Sequence, residues 1–231
     1  MSRAIPGHDV SVPGSSPRSG PVARVSHGVL AANARLASAS GIRCFDASIL
    51  MADAWGHGVE LVRQVLERHA ITPSMHPDTA HAPALHGHSL YGLPGGDPAA
   101  TPALRLTGTV LSVKDLRAGE GVSYGYAYRA PHDTRVALVT GGYAQGVVRA
   151  LGGAVDVWLA GERHPIVGRV AMDVCVVEIA NAQTARGDEA LFLGDPAQGE
   201  PSLVEWTRAS GLDAAELITT VGLRAIREAS A

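Results

Sequence analysis

The residues of this chain that could do chemistry are few, and one group opens on an inert position. The stretch MADAWGHG, residues 51–58, has the make-up of an active-site loop, with two glycines for close backbone approach, a histidine and an aromatic ring. Its first residue, Met51, carries a thioether, which cannot act as an amine nucleophile. The glycine–histidine–glycine run before a helix has the form of a phosphate cradle, though by itself this decides nothing. A second group is HPDTAHAPALHGH, which places His76, His81, His86 and His88 close together. Imidazoles suit zinc, but the spacing follows no ligand pattern, so solvated loop histidines are the simpler reading and no metal is assigned. The chain has one lysine, Lys114, against 18 arginines. Lys114 sits in an alternating strand-like run, where a surface position is expected.

The elements that must position these groups change character along the chain. Residues 1–21, rich in Gly, Pro and Ser, read as a disordered leader without an apolar signal core. VARVSHGVLAANARLASAS has helical spacing and is closed by Gly41. Residues 42–51 read as a short strand running into the loop. Residues 58–69 form an amphipathic helix with Val59, Val62, Val65 and Leu66 on one side. Residues 22–70 therefore read as helix, strand, loop and helix. Residues 71–102 read as a Pro-, Gly- and His-rich linker with one short strand near Ser89–Leu93. From 103 the period becomes two, with strand-like runs at short spacing, which predicts an antiparallel sheet or barrel. Two helices end the chain, and each carries a capping-box pair, Ser202 with Glu205 and Asp213 with Glu216.

Bulk properties narrow the class. At 46% hydrophobic and 18% charged residues, the composition is that of a globular protein. A net charge of −3 gives no electrostatic case for nucleic acid or an anionic membrane. Two cysteines, Cys44 and Cys175, are too few for a disulfide framework, so a reducing cytoplasm is the default. No apolar run approaches the ~20 residues of a membrane helix.

Five fragments, taken in order, resemble the alanine racemase family, whose members use pyridoxal phosphate and join a TIM-type barrel to a β domain. They are MADAWGHG, HGHSLYGL (86–93), GVSYGYAYRAPHDTRVALVTGGYAQGVVRALGG (121–153), PIVGRVAMDVCVVEI (165–179) and GDEALFLG (187–194). The match covers most of residues 22–70 and nearly all of 85–228. The resemblance implies an α+β fold: a β-rich C-terminal domain over 103–231, preceded by a short remnant of the barrel. It implies that Tyr124 is one of the family's two acid/base groups. Met172 and Asp173 would line the substrate pocket, together with Tyr143. Gly87 and His88 would keep a backbone match to the phosphate loop, and His57 matches without a metal role.

The same resemblance marks departures. Met51 stands at the position of the lysine that holds pyridoxal phosphate. Trp55 replaces a phosphate-binding tyrosine and keeps only an indole donor. Leu85 stands where an arginine would meet the pyridine nitrogen, Ala215 where a second phosphate-binding tyrosine would be, and Gln145 where the family has aspartate. A whole TIM barrel needs ~250 residues, which 22–102 cannot supply. The helix faces of the remnant must therefore be buried on the β domain or on a partner. Three readings stay open. One is a degenerate relative, inactive alone, that forms a homodimer or a heterodimer with a complete alanine racemase. Another is a working isomerase for a small amino acid, with a non-standard or partner-supplied lysine. The third is a non-catalytic binding or regulatory module.

Overall fold

The computed structural model describes residues 19–74 and 83–230. The leader expected over 1–21 lies outside this range except for its last three residues, and so do His76 and His81.

The centre of the molecule is a closed antiparallel circuit. It is built from β5 (Leu104–Leu116), β8 (Thr134–Thr140), β9 (Asp156–Leu159), β10 (Glu162–Val167), β11 (Val174–Glu178) and β12 (Glu189–Leu193). The order is β12-β9-β10-β11-β8-β5, and β12 also pairs with β5, which closes the barrel and leaves these strands no free edge. β5 serves two partners because it is long. Its first half pairs with β12 and its second half with β8. Gly108 marks the change of partner: a Cβ there would sit 2.2 Å from the Thr140 carbonyl oxygen. The short hairpin β6 (Gly121–Val122) with β7 (Tyr128–Arg129) lies apart from this circuit.

Two further strands extend the sheet from β5. β1 (Val22–Ser26) pairs antiparallel with β5 and parallel with β13 (Ile226–Ser230). The run expected to be helical from Val22 thus begins as a strand, and the helix α1 (His27–Ala39) starts only after Ser26. Ser26 is the punctuation, since its hydroxyl accepts the Val29 amide at 3.2 Å as an N-cap. The sequence pattern gives no sign of β13.

The α/β part is small. β2 (Cys44–Phe45) is flanked by β3 (Thr72–Pro73) and β4 (Ala84–Leu85) in a parallel three-stranded sheet. The strand expected over 42–51 is limited to β2, and a 3-10 turn, Ala47–Leu50, comes after it. One turn, α2 (Met51–Trp55), leads to α3 (Val59–Arg68), whose Val62, Val65 and Leu66 are buried as the periodicity predicts. The strand expected near Ser89–Leu93 is instead a helical turn, α4 (Gly87–Tyr91). Asn33 of α1 fixes the backbone from α4 to Thr101. Its side-chain amide donates to the Leu90 and Thr101 carbonyls at 3.0 and 2.8 Å, and its side-chain oxygen accepts the Thr101 amide at 3.0 Å.

At the C-terminus, α6 (Ala214–Arg224) has the expected Asp213–Glu216 capping box. α5 (Leu203–Ser210) does not have the expected one, because the Ser202 hydroxyl meets Glu205 at 3.2 Å and makes no cap bond to a helix amide. One continuous core runs from Leu30, Val62 and Tyr91 through Leu106 and Val139 to Trp206 and Val221. The helix faces of the α/β part are therefore buried against the chain's own β domain. Cys175 belongs to this core, where burial pushes its thiol up to about 12, and both cysteines are free.

Candidate functional site

Two loop clusters hold the residues singled out by the sequence, and α6 lies between them. The first is the turn at 51–58. Ala52, Asp53, Ala54 and Trp55 all have positive φ, from 48° to 55°, so the chain winds left-handed through four consecutive non-glycine residues. This winding costs about 1–2 kcal/mol per residue and persists only where its surroundings hold it. Asp53 supplies part of that hold. One carboxylate oxygen accepts the Val59 amide at 2.8 Å at the start of α3, and the other pairs with Arg227 of β13. Burial raises the Asp53 pKa, but the Val59 amide and Arg227 outweigh it and keep the carboxyl below its usual range. Arg227 also donates to the Gly56 carbonyl at 3.2 Å. Gly56 packs on Gly222 of α6 so closely that a Cβ on either would lie 2.5 Å from backbone atoms of the other.

The side chains of this turn point to different places. Met51 is 67% exposed. The half-buried Trp55 ring lies on Gly87 and meets His88 edge-on at 5.3 Å. His57 is buried, and its Nδ1 lies 3.1 Å from the Ala54 and Trp55 carbonyl oxygens. Its ring stacks on Tyr91 at 4.0 Å. Burial lowers its pKa to about 4. The structure thus brings Trp55, Gly87 and His88 together. Among the described residues no three His, Cys, Asp or Glu side chains gather to hold a metal.

The second cluster lies on the β domain. Gly142 has no Cβ because one would fall 2.1 Å from the Met172 carbonyl oxygen. Across this approach the Ala144 amide donates to Met172 at 3.0 Å, the Tyr143 amide to Ala171 at 3.0 Å and the Gly141 amide to Asp173 at 2.9 Å. Gln145 ties the loop shut. Its carbonyl oxygen accepts the Gly142 amide at 3.0 Å, and its amide donates to Asp173 Oδ1 at 2.7 Å. Tyr143, Met172 and Asp173 are thereby held side by side, with Met172 55% and Tyr143 36% exposed. The Arg149 guanidinium lies 4.8 Å above the Tyr143 ring. Tyr124 opens the 3-10 turn Tyr124–Tyr126. The preceding residue, Ser123, accepts the Arg169 amide at 2.7 Å, which anchors that turn to the segment leading to Met172.

α6 touches both clusters, through Gly222 on Gly56 and through Val221 against Gly146, where a Cβ would lie 2.9 Å from the Val221 Cα. Sequence reasoning missed Arg227 and the clamp it forms. It also missed Tyr91, although Tyr91 stands inside HGHSLYGL.

The family model described as alanine racemase, C-terminal domain, matches residues 103–229. The chain belongs to the alanine racemase family. It is 40% identical over 184 residues to the alanine racemase of Mycobacterium leprae (strain TN), covering 77% of this chain and 47% of that protein. The crystal structure of alanine racemase from the D-cycloserine-producing Streptomyces lavendulae is similar with a TM-score of 0.62 at 26% identity, covering 91% of this chain and 66% of that one. The alanine racemase of Bartonella henselae, solved with covalently bound pyridoxal phosphate, shares the fold with a TM-score of 0.75 at 14% identity, covering 92% of this chain and 100% of that one. The chain spans about half the length of the curated relatives it matches.

The residues present do not fit a covalently held pyridoxal phosphate. An imine needs an amine, and position 51 offers a thioether. Lys114 is exposed on β5, opposite Val136 of β8. Leu85 is buried in β4 beside Phe45 and has no donor for a pyridine nitrogen. The Trp55 indole N–H already donates to the Ser48 carbonyl at 2.9 Å. The Ala215 amide is taken by Asp213 at 2.7 Å.

Proposed function

We propose that this chain is an alanine-racemase-like protein, inactive alone, whose β domain pairs with a complete alanine racemase. In the mixed dimer it would offer Tyr124, Tyr143, Met172 and Asp173 to the barrel of its partner while contributing no cofactor chemistry of its own. The observation that carries this reading is the contrast between Met51 and Met172. The loop of Met172 keeps Tyr143, Met172 and Asp173, is closed by Gln145, which replaces the family's aspartate, and leaves Met172 and Tyr143 exposed. The turn of Met51 lacks the amine on which the family's reaction depends. An ordered motif loop that leaves Met172 and Tyr143 exposed fits a surface completed by another chain.

The test is to co-express the chain with a complete alanine racemase and follow assembly and turnover. The expected result is a one-to-one complex that survives gel filtration, with turnover per racemase chain altered by Met172→Ala in this chain. A chain that stays monomeric and leaves the racemase's turnover unchanged overturns the reading. So does D-alanine produced by the chain on its own.

A further inference from the structure

The turn at 51–58 and the start of α4 face each other, and one side chain fills the space between them. A Cβ built on Gly87 would lie 2.7 Å from Cη2 and 2.8 Å from Cζ2 of Trp55. The room left by the glycine is therefore taken by the indole. The one polar atom of the indole is satisfied inside the chain, at the Ser48 carbonyl. His88 meets the ring at an interplanar angle of 85°, and Tyr91 lies against it at 5.5 Å. Tyr91 carries the stack inward, with its ring on His57 and its hydroxyl donating to the Ile49 carbonyl at 2.6 Å. The neighbouring end of α6 is also closed. Asp213 caps it, and its carboxylate lies 3.8 Å from His88 Nε2. An incoming phosphate would meet the indole face, which cannot donate a hydrogen bond to it, and the Asp213 carboxylate, which repels it, while the one imidazole at hand, His88, already faces both.

We infer that Trp55 is a plug: it occupies the corner in which, by the family resemblance, the cofactor phosphate would lie, and it joins the turn to α4 in the cofactor's place. This deepens the reading above and rests on it. It also adds a barrier to cofactor uptake that is independent of position 51, so restoring the amine alone does not restore binding.

The experiment compares Met51→Lys with the double variant Met51→Lys/Trp55→Ala. Each is incubated with pyridoxal phosphate and then reduced with borohydride. An amine at position 51 condenses with the aldehyde, losing water to give the imine, and hydride from borohydride fixes it as a secondary amine. The product is read as a phosphopyridoxyl mass on the peptide carrying position 51, and the Lys114 peptide of the same sample sets the background. The expected result is background labelling in Met51→Lys and at least tenfold more in the double variant. Equal labelling in the two, whether high or at background, overturns the plug. Met51→Lys/Trp55→Tyr repeats the test with a smaller ring that keeps aromatic packing, and circular dichroism checks that each variant is folded. Assembly with a complete racemase is measured separately on the unmodified chain and on the Trp55→Tyr single variant. Failure of the unmodified chain to assemble sinks the earlier reading, whereas strong labelling of Met51→Lys alone sinks only the plug.

Discussion

The two clusters on either side of α6 are built in opposite senses. Around Met172 the backbone is tied down by a mesh of short hydrogen bonds, while the motif side chains Tyr143 and Met172 project outward. Around Trp55 the backbone is strained, and aromatic side chains after Met51 turn inward, with His57 under Tyr91 and the indole on Gly87. The same ancestry thus leaves a displayed loop in one region and an internal packing unit in the other. Burial separates the two roles. A side chain buried among partners in its own chain acts on stability, and one left exposed on a rigid loop is available to another molecule.

The comparison breaks most readily at Tyr91. Its ring is fully buried, and its hydroxyl is satisfied by Ile49. Tyr91→Ala is expected to cost about 3–5 kcal/mol, as for other buried aromatics. Because the core is continuous across both regions, the loss should appear as a lower midpoint of one cooperative transition. Urea and thermal unfolding followed by fluorescence check this. Two separate transitions would mean that the α/β part is a unit of its own.

Acid provides the next test. Burial holds His57 near 4 in the folded chain, against about 6.5 when unfolded. The unfolded state therefore binds the proton first, and stability falls as pH drops from about 6.5 toward about 4. The full effect is about 3 kcal/mol. Asp46, Asp53 and Glu200, whose carboxyls are held low, weaken the fold only at lower pH still. Urea midpoints at pH 7 and pH 5 should differ clearly for the unmodified chain. The difference should shrink in His57→Phe, which keeps a ring on Tyr91 but cannot take a proton. An unchanged pH dependence in that variant would show that His57 is not buried as the stack requires.

Legibility in the sequence depends on how local each interaction is. The strands β9 and β11 declare themselves by their spacing and by the turn residues around them, because alternate residues of each meet the core. β13 does not, since Ile226–Ser230 carries little alternation and its partner β1 lies at the other end of the chain. α4 reads as a strand from its own residues, and it is Asn33, far away in sequence, that sets the backbone around it. Trp55 of one motif fragment meets Gly87 and His88 of another in space, a contact between segments far apart in the sequence. The left-handed winding is out of reach of the sequence, because it runs against the local preference of Ala, Asp and Trp and is held by Gly222 and Arg227.

That hold defines the smallest effect, at Asp53. Its carboxylate does two jobs, accepting the Val59 amide and pairing with Arg227. Losing an acceptor at a helix start costs about 1 kcal/mol, and an ion pair this exposed adds less than that. Asp53→Ala is therefore expected to cost about 1–2 kcal/mol, and Asp53→Asn, which keeps the acceptor for Val59, under about 1 kcal/mol. Amide exchange at Val59 should rise in the alanine variant and stay near its original rate in the asparagine variant, with the loop of Met172 unchanged in both. If both variants exchange alike, the winding is held by the Gly56–Gly222 contact alone and the carboxylate is incidental. If the Met172 loop also loosens, α6 transmits strain between the clusters, and the two regions are no longer independent in the sense the comparison requires.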